Sequence, residues 1–300
     1  MRRKLNLLFF CLLPTYLFLI NTSWANESQL HRITIDGKTR EYSEYKPIEI
    51  DSSKPLALVV VLHGGFGSNS QAEKSYKWDE LADRQGFIVV YPNGTARTWN
   101  AGTCCGAAAK NNVNDIEFLT SVINDLSRNE KIDQKKVYLT GISNGGALAY
   151  RYACEGKFPI AAIASVSGGL SSACKTPHAL SVMEIHGLDD QHIPIEGGYG
   201  SKGFAKVDWL PLNETLGKFK EVNNCQANTS TINGGVEINV SPCSFGKEVV
   251  LITIKGAGHQ WPGGEKKSPF IEKMLGSDEP SKALDATSVI WKFFLQHDHI

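Results

Sequence analysis

The sequence has no excess of charge of either sign. Thirty-one Lys and Arg residues stand against 31 Asp and Glu, so nothing in the composition calls for nucleic acid or an anionic membrane as partner. It has no internal repeat, no low-complexity tract and no linker-like stretch that would divide it, which argues against repeat arrays and tethered modules. It also lacks the Cys and His spacings of a zinc site. The adjacent Cys104 and Cys105 have no histidines near them in sequence, so no metal is expected.

The apolar stretch that raises the question of a membrane lies at the start. Arg2, Arg3 and Lys4 form a basic region, an apolar run follows, and Ser23-Trp24-Ala25 has the small-x-small pattern of a cleavage site. Pro14 and the polar residues after Ile20 shorten the run. It reads as a signal peptide over 1–25 rather than an anchor, and no membrane is expected as partner after cleavage. Removing the three basic residues leaves 28 basic against 31 acidic side chains. The expected location is secreted, either extracellular or periplasmic.

Export changes how the cysteines read. Cys104, Cys105, Cys154, Cys174, Cys225 and Cys243 remain, and an even number outside the cytosol suggests disulfides. Cys154 with Cys174, and Cys225 with Cys243, would each close a short local loop. Cys104 and Cys105 would then bond to each other or stay as thiols.

Strands alternate with helices along residues 26–300, which read as one domain. Residues 31–47 form a hairpin turning at Asp36-Gly37. Leu56–Leu62 is a continuous apolar run, as in a strand buried on both faces. Helices are expected near 74–85, 113–126 and 204–222, with another near the end of the chain. Residues 223–247 are polar and read as a stapled excursion. The alternation predicts an α/β fold with a mostly parallel sheet wrapped by helices.

Within this pattern, Gly141-Ile142-Ser143-Asn144-Gly145 matches G-x-S-x-G. The motif is weak alone, but here it follows a buried strand and opens a helix, the setting of a nucleophile elbow. A serine hydroxyl needs a base to take its proton. An acid and a histidine are expected after the serine, in that order. Asp189 and Asp190 follow the strand Ser181–Gly187, and His259 lies in a glycine-rich loop after the next strand. Loops at the carboxyl ends of parallel strands are where open α/β sheets carry their sites. His192 competes with His259 but lacks the glycine support. The glycines after Leu62 suggest an oxyanion hole formed by the N–H groups of Gly65 and Asn144, with His63 supporting the loop. Trp99 and Trp261 flank the site, either to contact substrate or to cap the core.

These motifs together resemble the secreted esterases of the poly(3-hydroxybutyrate) depolymerase and feruloyl or acetylxylan esterase type, in the α/β-hydrolase superfamily. The resemblance runs from "LHGG" through "YPNGTARTWNAGTCCG", "VNDIEF", "GISNGG" and "HGLDD" to "GAGHQWPGG". It implies an α/β-hydrolase fold and places nucleophile, acid and base on Ser143, Asp190 and His259, preferring Asp190 to Asp189. It supports the Cys154–Cys174 and Cys225–Cys243 pairings and implies no cofactor. Asn114 departs from the family's usual aspartate, and Phe66 stands where a third glycine is frequent and would narrow the acyl pocket. The implied substrate is a carboxylic ester, either a hydroxyalkanoate oligomer or polymer or a feruloyl-type ester. No adsorption domain is apparent, so a soluble ester or oligomer is expected. The alternatives are a serine peptidase on the same fold and a non-catalytic binding module, which would tolerate loss of triad members.

Overall fold

The structure, a computed structural model, describes residues 27–203, 205–266, 276 and 278–299. The expected signal peptide and Phe204, the expected start of one helix, lie outside the described residues. The strands are β1 (Gln29–Ile35), β2 (Lys38–Tyr45), β3 (Leu56–Leu62), β4 (Ile88–Pro92), β5 (Ile132–Ile142), β6 (Ala162–Val166), β7 (Ser181–Gly187), β8 (Thr229–Asn233), β9 (Val236–Pro242) and β10 (Glu248–Ile254). The helices are α1 (Asn69–Tyr76), α2 (Trp78–Gln85), α3 (Gly106–Lys110), α4 (Asp115–Asn129), α5 (Asn144–Glu155), α6 (Leu212–Val222) and α7 (Ala286–Phe294).

All ten strands join one sheet in the order β1-β2-β4-β3-β5-β6-β7-β10-β9-β8. The six inner strands from β4 to β10 run parallel. Antiparallel hairpins close both edges, β1-β2 on one side and β8-β9 on the other. β3 shows why its apolar run is continuous. Leu58, Val60 and Leu62 pack with Leu119 and Val122 of α4 and Leu148 of α5. Val59 and Val61 pack with Trp78 and Leu81 of α2 and Trp291 and Phe294 of α7. Successive side chains point to opposite faces, and both faces are covered.

Three elements differ from expectation. The helix expected over 74–85 is two helices, broken at Lys77, whose φ of 60° is left-handed. α1 starts earlier, where the Ser68 side chain accepts the Gln71 N–H at 3.1 Å, a cap that satisfies one orphan donor. The helix expected from 204 begins only at Leu212, with Pro211 at its N-cap position. Residues 223–247 do not stand apart from the sheet: β8 and β9 extend it. Their turn is Gly234-Gly235, both at positive φ, as a tight hairpin requires. The Cys225–Cys243 disulfide ties the chain after α6 to the end of β9, and Cys154–Cys174 ties the end of α5 to the loop after β6.

Candidate active site

β5 ends at Ile142 and α5 begins at Asn144, so Ser143 carries the whole change of direction at φ 58°, ψ −122°. A non-glycine residue is rarely held at such angles unless its surroundings enforce them. Here they do. Ser143 N–H donates to Val166 O at 2.9 Å. A Cβ on Gly145 would come within 2.5 Å of His63 O, and one on Gly141 within 2.8 Å of the Leu62 Cβ. The glycines let β3, β5 and α5 converge under the serine. The first helical hydrogen bond is Ala147 N–H to Ser143 O, so Asn144 N–H lies in the first turn, where amides have no intrahelical acceptor.

The loop after β3 faces this turn. Phe66 N–H donates to Arg97 O and Gly67 N–H to Gly64 O, whereas Gly65 N–H meets no acceptor among the described residues. His63 is fully buried. Gly94 N–H donates to its Nε2 at 3.0 Å, and its Nδ1 lies 2.7 Å from Gly64 O. Burial pushes its pKa down to about 4, so the ring stays neutral and braces the loop.

The residues expected as acid and base come from the loops after β7 and β10. His259 Nδ1 lies 2.7 Å from Asp190 Oδ2. Asp190 Oδ1 accepts the N–H groups of His192 and Ile193 at 2.8 and 3.0 Å. Burial alone would raise the Asp190 carboxyl. The charge and hydrogen bond of His259, then the charge of His186, outweigh it and hold the group at about 2. Asp189 is exposed and does not bond to His259. His259 N–H donates to Asp278 Oδ2 at 2.7 Å, which holds the His259 backbone in place. His192 stacks on the His259 ring with centroids 4.6 Å apart. Ser143 and His259 line one cavity but are not hydrogen-bonded to each other among the described residues. Such contacts are often long before substrate binds.

That cavity has a volume of about 590 Å³, within the range of ligand sites. Phe66, Tyr76, Trp209, Trp261 and the bonded pair Cys104–Cys105 contribute apolar wall. Phe66 is 43% exposed and stands at the mouth. Trp261 stacks on Tyr76 with centroids 4.5 Å apart, and its Nε1 donates to Thr287. Trp99 leaves the set of substrate contacts. It is fully buried and does not line the cavity, because its indole N–H finds its acceptor inward, at His63 O, 2.8 Å away.

The Trp99 backbone has a different task. Asn144 Oδ1 accepts its N–H at 2.7 Å, and Asn144 Nδ2 donates to its carbonyl at 3.0 Å. This reciprocal pair fastens the loop bearing Cys104 and Cys105 to the serine turn. The loop is also held from below. Asp115 accepts Asn100 N–H at 2.7 Å and pairs with Arg40 at 2.8 Å. Asn114 caps α4 by accepting Glu117 N–H, so it does here what a capping aspartate would do.

Tyr76, Trp209, His192 and Asp278 were not singled out by sequence as parts of this cavity wall or its support. Only His192 had a usable signal, its place two residues after the acid. No cluster of His, Cys, Asp and Glu among the described residues has the arrangement of a metal site.

The comparisons with known proteins bear on the family and the fold. Feruloyl esterase C of Emericella nidulans is 28% identical over 267 residues, covering 85% of this chain and 84% of its own. The bifunctional acetylxylan esterase/xylanase XynS20E of Neocallimastix patriciarum is 27% identical over 224 residues, 74% of this chain and 31% of its own. Among solved structures, an acetyl xylan esterase from Aspergillus awamori superposes with a TM-score of 0.56 at 16% identity, over 83% of this chain and 99% of that one. At that identity it speaks for the fold, which is that of the α/β-hydrolases. Residues 41–196, just over half the chain, match the model of the esterase PHB depolymerase family, and the chain belongs to that family.

Proposed function

We propose that this protein is an exported serine esterase that hydrolyses soluble carboxylic esters through an acyl-enzyme on Ser143. The observation that carries the reading is the His259–Asp190 hydrogen bond of 2.7 Å, with His259 lining the cavity that also holds the strained Ser143 turn. With Nδ1–H donated to Asp190, His259 keeps Nε2 for the serine. It takes the Ser143 proton as Oγ attacks the ester carbonyl. Gly65 and Asn144 N–H groups receive the oxyanion. His259 then protonates the leaving alcohol, and water repeats the sequence on the acyl-enzyme. Asp190 orients the imidazole and stabilises its charged form.

The signal peptide is residues 1–25, and residues 26–300 are the catalytic domain. Three disulfides support export, since such bonds persist in oxidising compartments. The aromatic wall suits a feruloyl-type acyl group, and the family name adds hydroxybutyrate oligomers as the second substrate class.

The test is a hydrolysis panel of p-nitrophenyl esters, feruloyl esters, hydroxybutyrate oligomers and peptide amides. Turnover of esters, with feruloyl esters leading and amides inert, is expected. Amide turnover without ester preference, or no turnover at all, would overturn the reading.

A further inference from the structure

Beneath Asp190 lies a second carboxylate–histidine pair that the proposed mechanism does not use. Glu184 and His186 both point from β7 into the interior, at 0% and 1% exposure. An ionisable pair so placed needs a compensating arrangement. His186 Nε2 lies 2.8 Å from Ile193 O. A carbonyl only accepts, so this nitrogen carries a proton. His186 Nδ1 lies 2.9 Å from Glu184 Oε1. That same oxygen accepts Gly168 N–H at 3.0 Å, and Oε2 accepts the Tyr150 hydroxyl at 2.9 Å. Burial pushes the Glu184 carboxyl up, yet two donors independent of the ring, Gly168 N–H and the Tyr150 hydroxyl, converge on it, which is the environment of an ionised carboxylate. Burial lowers His186, and the hydrogen bond and charge of Glu184, joined by the Asp190 charge and the Ile193 carbonyl, more than reverse it. The proton therefore sits on His186, making both ring nitrogens donors.

The positive ring has one further neighbour. Its Nε2 is 3.6 Å from Asp190 Oδ2, the oxygen that holds His259. We propose that Glu184 and His186 form a buried ion pair whose imidazolium backs the Asp190 carboxylate, making them positioning residues for the acid–base couple. This rests on the esterase reading for its consequence in catalysis, but the ion pair itself does not.

The backing charge has a predictable sign. It sits near Asp190 and partly offsets that carboxylate's pull on any other positive charge beside it. The other charged or titratable groups around this couple are few. Tyr150 from α5 touches Glu184, His192 stacks on His259, and Asp278 holds His259 N–H, with Lys202 3.7 Å beyond it. Thr253 of β10, the register neighbour of His186, is uncharged. None of these supplies a positive charge at Asp190 in place of His186.

The first measurement is made on the wild-type protein with ¹⁵N-labelled histidine, followed by NMR across pH. One histidine should keep both ring nitrogens protonated to higher pH than an ordinary histidine does. The second is the pH profile of kcat/KM for E184Q and H186Q. In both, the acid limb should move to higher pH by roughly half a unit or more, from loss of a nearby charge. The rate at high pH should fall less than about tenfold. A purely structural role would lower the rate without moving the limb. Superimposed profiles, a limb moved to lower pH, or a wild-type spectrum in which no histidine stays doubly protonated beyond the ordinary histidine range would overturn the proposal. The spectrum decides the ion pair even if a variant fails to fold. Absence of ester turnover by the wild type would remove the enzymatic reading and leave the spectrum to judge the pair.

Discussion

Two histidine–carboxylate pairs meet within one short stretch of this molecule. His259 and Asp190 stand on loops beyond the strand ends, where His259 lines the cavity with Ser143 and Asp190 lies buried behind it. Glu184 and His186 stand on β7 itself, sealed from the cavity and from solvent. The chemistry of the two pairs is alike, and the hydrogen-bond lengths of 2.7 and 2.9 Å are similar. What separates them is access. His259 bonds Asp190 through one nitrogen, and its other nitrogen has no partner among the described residues. His186 spends both nitrogens on Glu184 and Ile193 O. A histidine with both nitrogens engaged in the interior can fix a charge but cannot shuttle a proton to substrate.

The largest test of this contrast is at the cavity pair. Ser143→Ala and His259→Ala should each lower kcat on an ester by a factor on the order of 10⁶, with the double variant little worse, as in triads that act as one unit. Additive losses would show that the two side chains act separately. Asp190→Asn should cost about 10⁴ by favouring the wrong imidazole tautomer, while Asp189→Asn, at an exposed position, should cost little. A crippling Asp189 variant would move the acid assignment. The interior variants E184Q and H186Q should fall far below these losses in rate and register in the pH profile instead.

The pH dependence of the wild type sharpens the same comparison. With Asp190 held at about 2, its folded value lies below that of a free carboxyl, so it stays ionised throughout the working range. Its stabilising contribution is present above the unfolded value and is lost only as pH falls through about 2. The acid limb of kcat/KM should therefore show a single ionisation, that of a histidine, with activity rising as pH rises. A flat profile between about pH 5 and 8 would argue against a histidine base.

The division between lining the cavity and supporting it from outside extends to the disulfides. Cys154–Cys174 and Cys225–Cys243 lie away from Ser143. Replacing either pair by serine should lower stability by roughly 2–4 kcal/mol, read by denaturant unfolding, with most activity per folded molecule retained. Cys104 and Cys105 line the cavity on the loop clamped by Asn144. Their replacement should change KM by a few-fold (~1 kcal/mol) more than it changes stability. Equal effects from all three pairs would erase the distinction.

The sequence made the site more legible than its surroundings. Ser143, Asp190 and His259 each follow an apolar strand, and a parallel sheet gathers the residues after its strand ends at one edge. β8 was hidden because all five of its residues are exposed, so no alternation of polar and apolar side chains marked it. Lys77 broke an otherwise helical pattern through a left-handed conformation that composition does not announce. Trp99 turned inward to satisfy its indole N–H, a partner choice that depends on where His63 lies in three dimensions. Glu184 and His186 were visible as polar residues in an apolar strand. Their partners on α5 and in the loops after β6 and β7 were not.

The measurement that bears most directly on the account is labelling with a fluorophosphonate followed by peptide mapping. The account predicts one adduct, on Ser143, and none on the S143A protein. An adduct on another residue, or ester turnover that persists after Ser143 is fully labelled, would contradict it.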